Sequence, residues 1–323
     1  MKSVILLLAL ISICSAACRK DLVRWRSVEK IDIPGSADRL NRIYFIDDTT
    51  GFVVGGQRFF NSTILRTDDG GKTWNYHNLN EAPKGLYNIT QAPDKTLYAI
   101  GFDGKLLRSD DRGLNWSFHQ LWYLPYKDIA FFSPQRGLAI GGISFYTGCK
   151  TYVNSDGTYA PWDSLVYELN DIEMINEKEG YIAGYGLVMK TEDSGYNWHI
   201  QSVENDNFTS IRTYGRYEAW TCGYNGSIFH TTDGGKSWER MRDGNDFTKR
   251  RYRLLDIAFT DRLHGYAVGE NGIFLYSDDG GHHWMEFEKF TDDALRCIVA
   301  REDGSLLVCG DNAAFYRVVP QPL

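Results

Sequence analysis

The sequence has few cysteines, few prolines and, after its first residues, no long apolar stretch. Only six of its 323 residues are cysteine and eight are proline, and no C-x-x-C spacing occurs, so a zinc site is not expected. Lys and Arg number 35 against 42 Asp and Glu, and the net charge of -7 argues against broad nucleic-acid binding. The H-E-x-x-H, Walker, Rossmann and Gly-x-Ser-x-Gly motifs are also missing. The sequence therefore gives no reason to expect a metal, a cofactor or a common catalytic centre.

The first residues are typical of a targeting segment. The apolar run over residues 4–13 is too short to span a bilayer as a helix. Ser15-Ala16-Ala17-Cys18 follows and resembles the bacterial lipobox, although that motif usually has Leu at the place of Ser15. We predict a signal peptide over residues 1–17, lipidation of Cys18 and a tether over residues 18–21. The protein would be exported and held by lipid alone at a periplasmic or outer-membrane face. The alternative is ordinary signal-peptidase cleavage, with Cys18 incidental.

One motif, Ser/Thr-x-Asp-x-Gly-x-x-Trp, recurs with fixed spacing. Its hydroxyl and carboxylate suit backbone N–H groups of a turn, its glycine permits a conformation closed to other residues, and its tryptophan opens the next strand. The copies lack the ligand pattern of an EF-hand, so we interpret this box as structural. Five full copies span residues 67–74, 109–116, 191–198, 231–238 and 277–284, and a degenerate sixth surrounds Asp156.

A second pattern, a short apolar strand ending in glycine, precedes each box. Seven such glycines, from Gly55 to Gly310, lie 39 to 46 residues apart. Four short strands in about 40 residues are typical of a propeller blade. We therefore predict an all-β fold, a seven-bladed β-propeller over residues 22–323. The last unit stops after its third strand, so the N-terminal strand around Trp25 is expected to complete it and close the ring. The alternative is an open array of repeats.

The complete unit over residues 265–284, Gly-Tyr-Ala-Val-Gly-x-x-Gly-x-x-x-x-Ser-x-Asp-x-Gly-x-x-Trp, resembles the repeat of the photosystem II stability/assembly factor family. The box itself resembles the Asp-box of bacterial neuraminidase-type repeats. The resemblance covers essentially all of the mature chain. It implies a seven-bladed, non-enzymatic assembly factor that engages a membrane-protein subunit. We therefore expect a binding scaffold at the bacterial cell envelope with a protein partner and no cofactor, and we expect it to be a monomer.

A glycan-binding or glycoside-hydrolase propeller is the alternative, because Asp-box propellers include sialidases and xyloglucan hydrolases. The first arginine of a sialidase usually stands in Arg-Ile-Pro, whereas this chain has Arg42-Ile43-Tyr44. The xyloglucan enzymes place their carboxylates across a cleft between two propellers, which one propeller cannot form. Two carboxyl groups about 5 to 10 Å apart in the central cleft would favour the hydrolase.

The first candidate partner site is the entrance of the central channel. The first strand of each blade lines that channel, and aligning these strands predicts one level of inward side chains. On this view neither Asp128 nor Asp171 supports the core, and the ring holds a cation or a polar group of a partner. A water-filled channel that tolerates polar residues is the alternative. The predicted site consists of Arg42, Asn88, Asp128, Asp171, Asp256 and Arg296.

The second candidate site is a set of aromatic residues in the longer third blade. Such residues on loops would form an apolar partner surface, or they would pad contacts between blades. The set comprises Phe145, Tyr146, Tyr152, Tyr159 and Trp162. Cys297 and Cys309, which flank a predicted hairpin, either form a disulfide or remain buried thiols.

Overall fold

The computed structural model describes residues 22–33, 39–77, 79, 84–143, 147–246 and 251–321. The predicted signal peptide, Cys18 and the tether up to residue 21 lie outside these residues. Within the described chain, seven four-stranded antiparallel sheets form the blades of a closed ring. No described helix is long and apolar enough to cross a membrane. The prediction of an all-β, seven-bladed propeller is confirmed.

In blades 1 to 6 the strands run in chain order from the channel outward. The N-terminal strand is β1 (Trp25–Lys30). Blade 1 contains β2 (Leu40–Phe45), β3 (Gly51–Gly55), β4 (Thr63–Thr67) and β5 (Asn75–His77), and blade 2 contains β6 (Leu86–Gln91), β7 (Leu97–Gly101), β8 (Lys105–Ser109) and β9 (Ser117–Gln120). Blade 3 contains β10 (Tyr126–Ser133), β11 (Arg136–Ile143), β12 (Thr147–Val153) and β13 (Asp163–Leu165), and blade 4 contains β14 (Leu169–Met174), β15 (Gly180–Gly184), β16 (Leu187–Thr191) and β17 (His199–Ile200).

Blades 5 and 6 have the same strand order, and blade 7 has it for its first three strands. Blade 5 contains β18 (Phe208–Tyr214), β19 (Glu218–Gly223), β20 (Ile228–Thr231) and β21 (Glu239–Arg242), and blade 6 contains β22 (Leu254–Phe259), β23 (Gly265–Gly269), β24 (Phe274–Ser277) and β25 (Met285–Glu286). Blade 7 contains β26 (Leu295–Ala300), β27 (Leu306–Gly310) and β28 (Phe315–Pro320). Two short 3-10 turns, Phe102–Gly104 and Glu270–Gly272, join second and third strands.

The N-terminal strand closes the ring, as the sequence predicts. β1 pairs antiparallel with β28 and supplies the fourth strand of blade 7. The Trp25 ring stacks on Phe287 of blade 6 at 3.9 Å between centroids, and its indole N–H donates to the Glu288 carbonyl at 2.8 Å. The two ends of the chain thus hold the last blade together and attach it to its neighbour.

The glycine that ends each second strand is required by close packing. A Cβ built on Gly55 would stand 2.0 Å from the Arg39 carbonyl oxygen, and one on Gly310 would stand 1.9 Å from that of Ala294. In both cases the obstructing backbone belongs to the chain that enters the first strand of the same blade. Only a residue without a side chain lets the entering chain lie so close to the second strand.

The hydrophobic core is divided among the junctions between blades. Seven buried clusters are described, and each combines residues of two adjacent blades. The box tryptophan takes part in this packing, since Trp74 of blade 1 is buried against Leu307 and Phe315 of blade 7. Each blade therefore depends on both neighbours for burial of its faces, as the repeat architecture requires.

Candidate functional site: the mouth of the central channel

The recurring boxes form structural turns. In the first copy the Thr67 hydroxyl accepts the Gly71 N–H at 3.0 Å and donates to Asp69 at 2.7 Å, and Asp69 also accepts the Thr73 N–H at 2.9 Å. The other four full copies repeat these bonds within a few tenths of an ångström. In the part of the chain that is described, no group of three or more His, Cys, Asp or Glu side chains is placed to hold a metal ion.

The channel ring lies at one level, as the alignment of first strands predicts. Each first strand carries a bulge, and the residue after it pairs with the same register position of the second strand in every blade. Arg42 thus pairs with Val54, and Cys297 with Cys309. The seven residues at this level are Arg42, Asn88, Asp128, Asp171, Ser210, Asp256 and Cys297.

Three ring aspartates join neighbouring blades. Asp128, Asp171 and Asp256 each accept the backbone N–H of an isoleucine on the next blade. The distances from the backbone nitrogens of Ile172, Ile211 and Ile298 to these carboxylate oxygens are 2.9, 2.8 and 3.0 Å. The Cys297 sulfur receives the Ile43 N–H at 3.3 Å in the same position. The expectation that Asp128 and Asp171 do not support the core is wrong, because their carboxylates satisfy buried donors across blade junctions.

Buried charges in the ring are balanced within it. Arg212, one level below, donates to Asp171 at 2.6 Å and to Asp256 at 2.8 Å. Burial and the neighbouring Asp171 carboxylate raise the pKa of Asp128, whereas Arg212 overcomes the opposing effect of burial and lowers the pKa of Asp171. Burial also raises the pKa of Glu173 to about 7, against the opposing effect of Arg212. Protons are therefore part of the charge balance of the channel near neutral pH.

In each blade, the residue one place before the ring lies at the channel mouth, and its role differs between blades. In three blades this residue, Asn41, Asn170 or Thr209, donates to a backbone carbonyl of the next blade at 2.7 to 2.9 Å. Blades 3 and 7 instead place Lys127 and Arg296 there. Lys127 also contacts the next blade, through Glu168 and through the Asn170 side-chain oxygen at 2.7 Å, whereas Arg296 pairs with Asp311 of its own blade.

Four cations above the ring, together with Arg42 of the ring, line a cavity of about 270 Å³ at the mouth. Arg296 and Arg39 share one carboxylate, that of Asp311, with Nε–Oδ1 distances of 2.5 and 3.3 Å. Lys127 pairs with Glu168. Among the described residues no carboxylate pairs with Arg58, whose Nε donates to the Tyr87 hydroxyl at 3.3 Å. These four cations are Arg39, Arg58, Lys127 and Arg296.

The positive charges at the mouth oppose one another. Burial and the adjacent Arg296 lower the pKa of Arg39, while Asp311 acts in the other direction. Burial likewise lowers the pKa of Lys127, although Glu168 favours its charged form. An anionic group placed in the cavity would relieve both effects.

The structure brings the six predicted channel residues together and assigns them different roles. Asn88 donates to Asp128, and the three aspartates join blades. Arg42 lines the mouth with a long 3.9 Å ion pair to Asp256. Sequence reasoning missed Arg39, Arg58, Tyr87 and Tyr224, which line the same cavity. Tyr87 occupies in blade 2 the position that Lys127 occupies in blade 3, so the alignment of the first strands could have identified it. Arg58 and Tyr224 lie on loops after the second strand, which that alignment does not cover.

The described members of the predicted aromatic set of blade 3, Tyr152, Tyr159 and Trp162, do not line the mouth cavity. Tyr152 donates to the Gly195 carbonyl of blade 4 and lies under the Arg136 guanidinium at 4.4 Å, so it pads the junction between blades. Tyr159 and Trp162 remain partly exposed. Phe145 and Tyr146 lie outside the described residues. Cys297 and Cys309 face each other across two strands as buried free thiols.

These features define a seven-bladed propeller whose polar channel opens in a cation-rich mouth. The profile of the family described as "Photosynthesis system II assembly factor YCF48" matches residues 19–121, 157–247 and 246–301. The chain belongs to this family of assembly factors, as the resemblance in the sequence predicts.

A curated relative agrees with this assignment, and solved structures share the fold. The "Photosystem II assembly lipoprotein Ycf48" of Synechococcus sp. (strain CC9902) is 28% identical over 105 residues, which are 29% of this chain and 31% of the relative. The match thus spans about a third of that curated relative. The solved structure "YCF48 bound to D1 peptide" superposes with a TM-score of 0.71 at 18% identity, covering 94% of this chain and 98% of that one. A virginiamycin B lyase from Staphylococcus aureus reaches 0.74 at 10% identity, covering 91% and 99%. At such identities the likeness shows the fold alone, and the fold is compatible with an enzyme.

Proposed function

We propose that this protein is a non-catalytic assembly scaffold that binds a negatively charged segment of a protein partner at the channel mouth. One observation carries the proposal: four cations above the ring and Arg42 within it line one cavity in a chain whose net charge is -7. Asp311 and Glu168 partly neutralise three of them, and the two aspartates that also line the cavity, Asp171 and Asp256, are paired with Arg212 below it. The local surplus of positive charge would attract an acidic side chain or a terminal carboxylate.

A peptide is the ligand that this cavity fits best. Besides the cations it is lined by Tyr87 and Tyr224, which offer ring faces and hydroxyl groups to an extended segment. The solved structure of YCF48 bound to D1 peptide supports a peptide ligand for this chain as well. We infer that the partner is a membrane protein that presents such a segment.

The channel carboxylates favour binding over catalysis. Asp256 receives hydrogen bonds from Ser210, Arg212 and two backbone N–H groups, and Asp128 receives bonds on both of its oxygens. Carboxylates held in this way stabilise the ring and have little freedom to act as acid and base in glycoside hydrolysis. Asp171 and Asp256 lie close enough to bond the same Arg212 guanidinium, a proximity that a glycan-active propeller also needs, but these bonds within the ring occupy both carboxylates.

The scaffold is placed at the cell envelope by lipid in this proposal. The curated Synechococcus relative is named a lipoprotein, which supports acylation of Cys18 in this chain. The exported protein would then face the periplasm or lie at the outer membrane. Replacing the acceptor, Cys18→Ala, should move the protein from the membrane to the soluble fraction after cell lysis. A variant that sediments with membranes like the parent would exclude acylation as the anchor.

Partner capture from host membranes tests the binding site. The double variant Arg58→Gln/Arg296→Gln should retain partners roughly tenfold or more weakly, because two positive charges of the mouth are lost. The matched control Lys72→Gln/Lys236→Gln removes the same charge from two exposed boxes at the other end of the channel. Both variants are first compared with the parent by thermal melting. Equal capture by the two variants would place the binding site elsewhere.

A further inference from the structure

Exposed aromatic side chains project from the loops beside the channel mouth. Phe59 and Phe60 stand on the loop between β3 and β4, directly after Arg58, and are 56% and 73% exposed. Phe59 contacts the half-buried Phe102 of blade 2 edge to face at 4.8 Å, and Phe60 has only Phe59 as a ring neighbour among the described contacts. The tip therefore offers apolar surface to whatever the mouth faces.

Two cations lie at the base of this aromatic tip. The Arg58 guanidinium is 5.0 Å from the Phe102 ring centroid, and the Lys84 ammonium is 6.0 Å from that of Phe59. Arg58 bears no ion pair within the described chain, and Lys84 lies 3.3 Å from Asp103. Long cationic side chains behind exposed rings are the arrangement found where apolar tips enter a bilayer and charges remain at the headgroups.

The apolar surface continues along one side of the mouth only. Tyr123, on the loop that leads into Lys127, is 74% exposed, and Val166, on the loop before Glu168, is 72% exposed. On blades 5 and 6 the exposed large apolar side chains that the structure describes lie at the opposite end of the channel: Tyr214, Tyr217 and Leu263. Among the described residues, the mouth face thus carries exposed apolar side chains over blades 1 to 4 and none over blades 5 and 6.

We propose that the apolar arc formed by Phe59, Phe60, Tyr123 and Val166 rests in the interface of a lipid bilayer with anionic headgroups. Its members stand exposed on three separate loops, whereas aromatic anchors of protein interfaces fill matching pockets. The charge at their base complements phosphate headgroups. Shallow contact of this kind is weak alone and acts as a second attachment beside a lipid anchor. It would tilt the propeller so that its cationic mouth faces the membrane surface.

Depth-dependent quenching tests the contact on the native, acylated chain. Dansylalanine is placed by codon suppression at Phe60 or, as a matched control, at Leu114, which is 54% exposed on a box. The proteins are reconstituted on protein-free vesicles of phosphatidylglycerol and phosphatidylcholine that carry spin-labelled acyl chains. Emission at position 60 should shift to the blue and be quenched, and emission at position 114 should not. Equal quenching at the two positions would overturn the proposal.

A second measurement separates lipid from protein as the occupant. In the non-acylated Cys18→Ser chain, Phe59→Ser/Phe60→Ser should weaken binding to the same vesicles roughly 10- to 100-fold, while Leu114→Ser/Leu263→Ser should not. Arg58→Gln/Lys84→Gln should weaken the preference for phosphatidylglycerol over pure phosphatidylcholine, while the remaining mouth cations keep part of it. If the Phe variant binds vesicles normally and loses only capture of a membrane protein, the arc is a protein interface and the lipid proposal is overturned. Partner capture through the mouth cations is measured separately, so either proposal can fail alone.

Discussion

At the scale of single residues, the carboxylates of the ring act between blades. Asp171 accepts the Ile211 N–H and an Arg212 N–H, and it is almost fully buried. Removing such a partner leaves a buried guanidinium with one carboxylate fewer and a backbone donor without an acceptor. The ring is therefore a structural element first, and its chemistry toward a ligand is confined to the mouth above it.

Asp171→Ala should lower the free energy of unfolding by about 3–5 kcal/mol, as for other broken buried pairs. Chemical denaturation followed by tryptophan fluorescence gives the value. Asp171→Asn, which keeps a side-chain acceptor for the Ile211 N–H, should lose less stability than Asp171→Ala. An Asp171→Ala protein as stable as the parent would contradict the role assigned to the ring.

Glu173 should make stability depend on pH near neutrality. Its pKa is raised by burial to about 7 from an ordinary value of 4.5, with Arg212, Asp171, Arg42 and Asp256 as the charged groups around it. Between these two values the folded protein binds more protons than the unfolded chain. The stability that Glu173 contributes is therefore fully present below pH 4.5 and is lost as pH rises through about 7.

The loss should amount to about 2 kcal/mol, less than the full shift implies because channel water screens the half-buried carboxyl. The measurement is the difference in free energy of unfolding between the parent and Glu173→Gln from about pH 5 to pH 8. As pH rises, Glu173→Gln should become more stable relative to the parent. A constant difference would show that Glu173 does not titrate in this range.

At the scale of elements, the box turn depends on the hydroxyl that begins it. Thr67 and Thr63 are both buried in β4, but only the Thr67 hydroxyl bonds the turn, while that of Thr63 has no hydrogen-bond partner among the described residues. Thr67→Val should cost about 1–3 kcal/mol, and the matched control Thr63→Val should be neutral or slightly stabilising. Thermal melting distinguishes them. Equal melting temperatures would remove the box hydroxyl from the account of blade stability.

The closing strand makes a second prediction at this scale. Deleting residues 19–34 removes β1 and with it the Trp25 stack on Phe287 and the outer strand of blade 7. Loss of a tryptophan in such packing alone costs about 3–5 kcal/mol, so the truncated chain should melt far below the parent. Val28→Ala, on the exposed face of β1, serves as control. A truncated chain that melts with the parent would contradict closure by this strand.

The sequence predicts the features that depend on interactions between residues close in the chain, and it does not predict those that depend on contacts between blades. Boxes, glycine phrases and the level of the ring rest on local spacing, and all three appear as expected. The bonds from Asp128 and Asp171 to the next blade depend on how far apart neighbouring blades lie, which no local pattern encodes. Arg58 and Tyr224 reach the mouth from loops whose paths are set by packing against adjacent blades. The function of the mouth was therefore harder to predict than the blades that build it.

At the scale of the whole molecule, the two ends of the channel differ. Boxes with their bound hydroxyls and carboxylates cap one end, and the other presents cations over a ring that is internally neutralised. A rigid ring suits this division, since it fixes four cations contributed by separate segments around one cavity without a conformational change on binding. The proposed function is that of a preformed receptor for a charged segment, and membership of a family of assembly factors supports it.

Site-specific photocrosslinking in the native host tests this central claim most directly. Benzoylphenylalanine replaces Tyr87 in the mouth or, as control, the exposed Tyr217 at the opposite end of the channel. After irradiation, mass spectrometry of the adducts identifies the attached peptide. We predict that position 87 crosslinks to an acidic or carboxy-terminal segment of a membrane protein and that position 217 does not. Adducts to that same segment at position 217 but not at position 87 would contradict binding at the mouth.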